Sequence, residues 1–333
     1  MKSLIQKLVE TTGPSGFEKE IRAVIRAEIE SLADEIRVDA LGNLIARKGA
    51  RKEGGKRIML SAHMDEIGVM VTHVDENGFA RFTNIGGVYP RNCAGGRVLF
   101  INGTHGVIGM EKLDSKDLVP GLDKMYIDVG ASSRETCPVK VGDTACFDRP
   151  FVDLGDRMVS KAMDNRISVA VLIETMRLVK DSPNELYFVF STQEEVGLRG
   201  ATTAAFGVDP DLGLAVDVTG TGDTPRCLPM EVSLGKGPTV KVRDGAFLAD
   251  PRVVDWMAKT AEAEGIPYQL EVLEAGTTDA HAIQLSRAGV PAGCISIPCR
   301  YIHSPSEMVD TNDVTNAARF AAALINRAVT LAE

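Results

Sequence analysis

The sequence predicts an α/β protein with a mixed, mostly parallel sheet, helices on both faces and a small inserted all-β domain. After Ser160, helix-type and strand-type segments alternate, which is typical of a parallel sheet with crossover helices. Over residues 68–160, short strand-type runs are separated by Gly, Asn and Asp turns, which is typical of a small all-β domain. The segments before residue 67 are expected to join the same sheet. We therefore expect one discontinuous domain over 1–66 and 161–333, with a β-barrel-like domain over 67–160 inserted into it.

The first 66 residues are predicted to form two helices, a hairpin and a buried strand. Leu4, Ile5, Leu8 and Val9 recur at helical spacing. Ser15-Gly16-Phe17-Glu18 resembles a capping box that begins a helix ending near Leu32. The remaining segments are a hairpin of Ile36–Asp39 and Leu44–Arg47 around Gly42-Asn43, and a buried strand over Arg57–Ser61.

The later segments are predicted from their apolar periodicity and turn residues. In the inserted domain the predicted strands are Val69–Val74, Phe79–Thr83, Arg97–Ile101, Met125–Val129 and Thr144–Phe147. Beyond it, the predicted strands are Leu186–Thr192, Leu212–Val216, Tyr268–Leu273 and Ala292–Ile297. The predicted helices are Asn165–Val179, one near Ala201, Pro251–Glu264, Asp279–Arg287 and Asn312–Leu331.

Composition excludes several classes of protein. The 333 residues carry 37 Lys and Arg against 46 Asp and Glu, a net charge of −9, which argues against a nucleic-acid-binding protein that neutralises phosphates. No apolar run approaches the roughly 20 residues of a membrane span, and the N-terminal segment does not resemble a signal peptide. Six scattered cysteines without a C-x-x-C pattern indicate reduced thiols. We expect a cytoplasmic protein with no nucleic-acid or membrane partner.

Most of the candidate site residues follow apolar strands. Because ligands bind beyond the carboxyl ends of strands in open α/β sheets, side chains at these ends are expected to converge. The candidates are His63 and Asp65 after the first buried strand, Glu194 and Glu195, Asp217, His303, and Asp164 at the start of a helix. Singly, each has an ordinary explanation, such as a helix N-cap for Asp164 or a solvated loop for the paired glutamates. Their shared position at one sheet edge favours a site.

Two imidazoles with several carboxylates suit divalent Zn, Co or Mn. Five such ligands exceed the need of one tetrahedral catalytic ion, and they suffice for two ions if one carboxylate bridges. A water between two ions about 3.5–4 Å apart is a hydrolytic nucleophile near neutral pH. His73, His105 and His281 are expected to be structural or exposed, because they fall in an inserted-domain strand, a turn and a helix.

Several motifs together resemble the tetrahedral, or glutamyl-type, aminopeptidase family of dinuclear metallopeptidases, some of whose members are labelled endoglucanases. They are His63-Met64-Asp65-Glu66-Ile67-Gly68, Ala162-Met163-Asp164-Asn165-Arg166, Gln193-Glu194-Glu195-Val196-Gly197-Leu198-Arg199-Gly200, Gly235-Lys236-Gly237-Pro238, Thr278-Asp279-Ala280 and His303-Ser304. The resemblance runs from about Thr12 to the C-terminal helix.

The resemblance implies a role for each candidate. His63 and Asp217 would bind one metal, Glu195 and His303 the other, and Asp164 would bridge them, with Zn or Co the expected ions and Mn an alternative. Glu194 would be the general base, and Asp65 would orient His63. The resemblance also implies a cis peptide between Asp164 and Asn165.

The resemblance further implies that the inserted domain mediates dimerisation and that dimers assemble into a hollow tetrahedral dodecamer open only to short peptides. The function that we expect is therefore removal of N-terminal residues from short peptides. A deacylase of N-acyl amino acids or peptides could use the same centre. An endoglucanase is disfavoured, because sugar clefts are usually aromatic and the chain has one Trp and 5% aromatic residues. An inactive assembly protein with structural metals is a third alternative, against which the paired Glu194 argues.

Overall fold

The computed structural model describes residues 1–113 and 119–331. Its helices are α1 Lys2–Glu10, α2 Lys19–Ile29, α3 Met163–Leu178, α4 Arg199–Val208, α5 Pro251–Ala263, α6 Asp279–Gln284 and α7 Thr311–Ile325. Its strands are β1 Glu35–Val38, β2 Leu44–Lys48, β3 Arg57–His63, β4 Gly68–Val74, β5 Ala80–Ile85, β6 Arg97–Phe100, β7 His105–Met110, β8 Met125–Asp128, β9 Thr144–Phe147, β10 Val152–Asp153, β11 Arg157–Ser160, β12 Glu185–Ser191, β13 Leu212–Thr219, β14 Thr239–Arg243, β15 Gln269–Val272, β16 Ala292–Arg300 and β17 Glu307–Asp310.

One large mixed sheet organises the α/β part of the chain. Its strand order is β1-β2-β12-β3-β13-β16-β17-β11-β10, and β14 and β15 branch from β16. The four central strands β12, β3, β13 and β16 run parallel, and the strands at both ends pair antiparallel. The predicted mixed sheet is confirmed, with its parallel part at the centre, and the N-terminal strands join it as expected.

Helices cover both faces of this sheet, as the sequence predicts. Along β3, Ile58, Leu60 and Ala62 face the main core under α1, α2, α3, α5 and α7, because alternate side chains of a strand point to opposite faces. Met59 faces the other side, where it packs with α4 and α6 residues such as Ala204 and Ile283. The central strands are therefore buried on both faces, which explains their nearly continuous apolar sequences.

Residues 68–147 of the predicted insertion close into a separate antiparallel barrel. Its strand order is β4-β5-β8-β7-β6-β9, and its interior is an apolar cluster that includes Val69, Phe82, Phe100 and Ile127. Closure removes the exposed strand edges that would otherwise pair with other chains.

Two expectations for the insertion are wrong. Its predicted end at residue 160 is too late, because β10 and β11 belong to the large sheet, where β11 pairs with β17. His105 begins strand β7 instead of lying in a turn, because a tight turn at Asn102-Gly103 brings β6 and β7 together.

Three local predictions are corrected by long-range contacts. The Ser15 and Glu18 capping box does not form: α2 has no side-chain cap, and the Ser15 hydroxyl instead donates to Asp65. Helix α6 ends at Gln284 and not near Arg287, and α7 ends at Ile325, six residues before the predicted end. Among the described residues, no helix is both long and apolar enough to cross a membrane.

Candidate metal centre

The carboxyl ends of three adjacent central strands bring the candidate residues together. His63 is the last residue of β3 and pairs in register with Ser191, the last residue of β12. Glu194 and Glu195 follow three and four residues after the end of that strand. Asp217 lies on β13, two residues beyond the position that pairs with β3. The parallel register therefore places groups from separate segments at one edge, as the strand-end argument predicts.

Asp164 lies between the two imidazoles. One carboxylate oxygen is 3.1 Å from His63 Nε2 and the other is 3.4 Å from His303 Nε2. The peptide bond between Asp164 and Asn165 is cis, as the family resemblance implies. The helix-cap explanation of Asp164 does not account for its side chain, because both carboxylate oxygens face imidazoles and not the first N–H groups of the helix. The side chain is thus available to both histidines.

The remaining carboxylates surround these two histidines. Glu195 Oε2 lies 3.2 Å from His303 Nε2. From His63 Nε2, the nearest oxygens of Glu194 and Asp217 are 3.8 Å and 3.9 Å away. Two groups of possible ligand atoms lie within 4.8 Å of one another: His63 with Asp164 and Glu195, and His63 with Glu194 and Asp217. All five proposed ligands and the proposed base therefore lie in one cluster.

Asp65 connects the cluster to its surroundings. Its buried carboxylate lies 3.4 Å from His63 Nδ1, and its backbone carbonyl oxygen lies 3.2 Å from the same nitrogen. The carboxylate accepts hydrogen bonds from the Ser15 hydroxyl at 2.6 Å and from the backbone N–H groups of Glu194 and Glu195 at 3.1 and 3.2 Å. One carboxylate thus orients the His63 ring and fixes the backbone of both glutamates. A partner of this kind sets the tautomer and direction of a metal-ligating histidine.

Sequence reasoning missed Glu307 as part of this site, and it gave Asn165 no role beyond the cis peptide bond. The two Glu307 oxygens accept from the backbone N–H groups of Asp164 and His303, at 2.9 and 2.8 Å. Asn165 donates from Nδ2 to the Val216 carbonyl at 3.0 Å, which ties the start of α3 to β13. No sequence signal predicts these contacts, because Glu307 and Asp164 are 143 positions apart and Asn165 and Val216 are 51 positions apart.

The charges of the cluster perturb one another strongly. Burial opposes protonation of His303, but hydrogen bonds with Asp164 and Glu195 raise its pKa to about 12. Burial likewise opposes the charged form of His63, yet the charge of Glu194 and the hydrogen bond with Asp164 raise its pKa well above the usual value. Burial raises the pKa of Glu194 well above its ordinary range. Without a cation, the buried carboxylates therefore retain protons on the imidazoles.

The donor set fits divalent cations. Two imidazoles and buried carboxylates are the ligands that Zn and related ions prefer. Glu195 Oε1 is buried without any hydrogen-bond partner, and such an orphaned oxygen is costly unless something binds it. The other three histidines do not join the described cluster: His73 is on barrel strand β4, His105 lies beside Asp148, and His281 is on α6.

The cluster lines part of a cavity of about 360 Å³. Its lining also includes Leu198, Leu273, Thr277 and Ile302. Lys241, which also borders the cavity, is buried in an ion pair with Glu271. The cavity therefore offers a small, largely apolar recess beside the carboxylates, a size that suits an amino-acid side chain better than a folded substrate.

Comparisons with known proteins agree with this geometry. The family model described as M42 glutamyl aminopeptidase matches residues 42–320. A putative aminopeptidase of Acetivibrio thermocellus is 50% identical over 96% of each chain. The structure of an aminopeptidase from the archaeon Desulfurococcus kamchatkensis aligns with a TM-score of 0.93 and 40% identity, covering 97% of this chain and 94% of the other.

A solved structure of the Pyrococcus horikoshii TET1 peptidase, described as able to assemble into a tetrahedron or a large octahedral shell, aligns with a TM-score of 0.88 and 33% identity. It covers 97% of this chain and 98% of that one. The family match spans most of the chain, and it includes all the candidate residues. On the fold, the clustered residues and these similarities, the chain belongs to the M42 glutamyl aminopeptidase family.

Proposed function

We propose that this aminopeptidase works with a dinuclear metal centre that removes N-terminal residues from short peptides. The observation that carries the proposal is the position of Asp164, whose two oxygens face different imidazoles at 3.1 and 3.4 Å. A carboxylate shared in this way suits a bridging ligand. His63 and Asp217 would hold one metal, and Glu195 and His303 would hold the other.

Divalent ions held there would polarise the scissile carbonyl and lower the pKa of water. The protein's own groups supply the proton transfers. Glu194 takes a proton from the attacking water and delivers it to the leaving amine, a role worth about 10²–10⁴-fold in rate. Asp65 keeps His63 and the glutamate backbone in place throughout.

Zn or Co are the proposed ions, with Mn an alternative, because all three accept this mixture of imidazole and carboxylate. Six free cysteines support a reducing, cytoplasmic location. The inserted barrel is proposed to mediate dimerisation, with dimers forming a tetrahedral dodecamer. The assemblies named for the Pyrococcus horikoshii relative support this arrangement, which would admit short peptides and exclude folded proteins.

The test is turnover of a panel of aminoacyl-nitroanilides with and without a chelator, followed by addition of Zn²⁺ or Co²⁺. We expect activity that the chelator abolishes and the metal restores. Turnover of N-acyl amino acids alone would favour the deacylase, and turnover of β-glucans the endoglucanase. The described cavity lining contains no Phe, Tyr or Trp, which opposes a sugar cleft.

The base is tested separately with Glu194→Gln. The amide keeps the shape of the side chain but cannot take the proton, so metal content should stay at the wild-type level while turnover falls about 10²–10⁴-fold. The matched control is Glu53→Gln at an exposed position, which should behave as wild type. Near-normal turnover of Glu194→Gln would show that another group is the base. Metal bound without turnover of any substrate by the wild type would favour the inactive assembly protein.

A further inference from the structure

A loop of the inserted barrel lies directly against the metal centre. The loop, Gly86–Asn92, follows strand β5 and is called here the barrel loop. It contacts Glu195 and His303, which belong to the α/β part of the chain. The barrel is proposed above to mediate assembly, and these contacts have no part in the mechanism proposed for the metal centre.

The two glycines leave room for the two ligand side chains. A Cβ atom placed on Gly87 would lie 2.2 Å from His303 Nδ1 and 2.5 Å from its Cε1, far inside van der Waals contact. A Cβ on Gly86 would lie 3.0 Å from the Glu195 Cβ and 3.1 Å from its Oε2. Any side chain at position 87 must therefore displace the imidazole or the loop.

Turn geometry does not explain Gly87. Gly86 has a φ of +73°, a conformation that favours glycine by itself, whereas Gly87 is not among the residues with a positive φ. A residue with a side chain could adopt the Gly87 backbone, and the obstacle is the His303 ring. The glycine at 87 is thus required by what it contacts and not by the loop's own conformation.

The barrel loop also holds the backbone of His303. That residue has a φ of +59°, which costs a non-glycine residue about 1–2 kcal/mol and persists only where surrounding contacts enforce it. Asn92 Nδ2 donates to the His303 carbonyl at 3.0 Å, and the His303 N–H donates to Glu307 at 2.8 Å. One of the two hydrogen bonds that fix this strained backbone therefore comes from the barrel.

We propose that the barrel loop is a positioning element of the metal centre that holds His303 and Glu195 in place to ligate one of the two metals. The inference rests on the dinuclear function proposed above. His63 is held instead by Asp65, within the α/β part of the chain. Perturbing the loop should therefore lower the affinity for the metal held by His303 and Glu195. The affinity for the metal held by His63 and Asp217 should stay unchanged.

The experiment is a titration of the full-length, metal-free protein with Co²⁺. Binding is monitored by calorimetry and by the visible absorption of each bound ion. We expect two ions in the wild type. In Gly87→Ala one ion should bind with unchanged affinity, and the other about 10–100-fold more weakly, the loss typical when a ligand's supporting contact is disturbed. The absorption of the second ion should change with it.

The matched control is Gly109→Ala in the same barrel. A Cβ there would come 2.5 Å from the Tyr126 ring, so it crowds the barrel without contacting the centre, and it should bind two ions as the wild type does. If Gly87→Ala does not fold, Asn92→Ala serves as the test variant, because it removes one hydrogen bond without crowding the loop. It should lower the affinity for the second ion roughly fivefold.

Two results would overturn the proposal, and they are distinguishable. The first is binding of two ions with wild-type affinities by Gly87→Ala, or by Asn92→Ala if Gly87→Ala does not fold. This result would show that the loop does not position the ligands, while the dinuclear function would stand. Fewer than two ions in the wild type would overturn both the dinuclear function and this inference.

Discussion

Substitution of Lys161 tests the junction between the inserted barrel and the sheet. Its ammonium lies 2.9 and 2.7 Å from the two Glu66 oxygens, and both side chains are at most 6% exposed. Glu66 precedes β4 by two residues, and Lys161 directly follows β11. The pair therefore joins the segment that leads from β3 into the barrel to the end of β11, one of the two strands by which the chain rejoins the sheet.

Lys161→Met removes the charge and keeps a long apolar side chain. Removing one partner of a buried ion pair costs about 3–5 kcal/mol, because the other charge stays buried. Glu66 would retain the Gly13 N–H at 3.0 Å and the Arg166 guanidinium at 3.5 Å. Because these contacts remain, we expect the free energy of unfolding to fall by about 3 kcal/mol, the lower end of that range. This corresponds to a change on the order of 100-fold in the unfolding equilibrium.

The assay is urea unfolding at fixed protein concentration, with Lys2→Met as the matched control. Lys2 Nζ lies 2.7 Å from an Asp153 oxygen, but the two side chains are 36% and 47% exposed. An exposed pair contributes about 1 kcal/mol or less, so the control should unfold almost as the wild type does. Equal losses in the two variants would refute the reasoning, since burial is the difference between the pairs.

Two further predictions concern the metal centre. Asp65→Ala removes the partner that orients His63 and holds the Glu194 and Glu195 backbone, so the affinity for Zn²⁺ should fall about 10–100-fold in a competitive titration; an unchanged affinity would contradict this role. Neighbouring carboxylates raise the pKa of both imidazoles, that of His303 to about 12, so a binding metal ion must displace protons. The affinity for metal should therefore rise from pH 6 to pH 8, about tenfold per pH unit for each displaced proton. The same titration at pH 6, 7 and 8 checks it, and a flat profile would contradict it.

Much of the candidate centre could be predicted because strand ends carry local signals. A buried apolar run followed by polar residues identifies where a parallel strand ends, and these ends share one edge. His63, Glu194, Glu195 and Asp217 were found in this way, without knowledge of the strand order. The cis bond at Asp164 could not be obtained from spacing, and it was expected only because the surrounding motif resembles a known family.

Local patterns failed where a distant residue competed for the same group. Ser15 has the spacing of a helix cap with Glu18, but its hydroxyl bonds to Asp65, fifty positions away, and Glu18 accepts from the Gln193 N–H. Both side chains serve the loops around the centre instead of the helix. Propensity describes an isolated segment, and tertiary contacts override it.

The sequence by itself determined the α/β class, the inserted barrel and the residue types of the centre, because periodicity and strand-end chemistry are local properties. Only the tertiary structure decided that Asp164 faces both imidazoles, that Glu307 holds two backbone segments and that the barrel loop bounds His303. These contacts join residues as much as 211 positions apart. They depend on how the sheet and the barrel pack together, and no pattern within a short window of the chain carries that information.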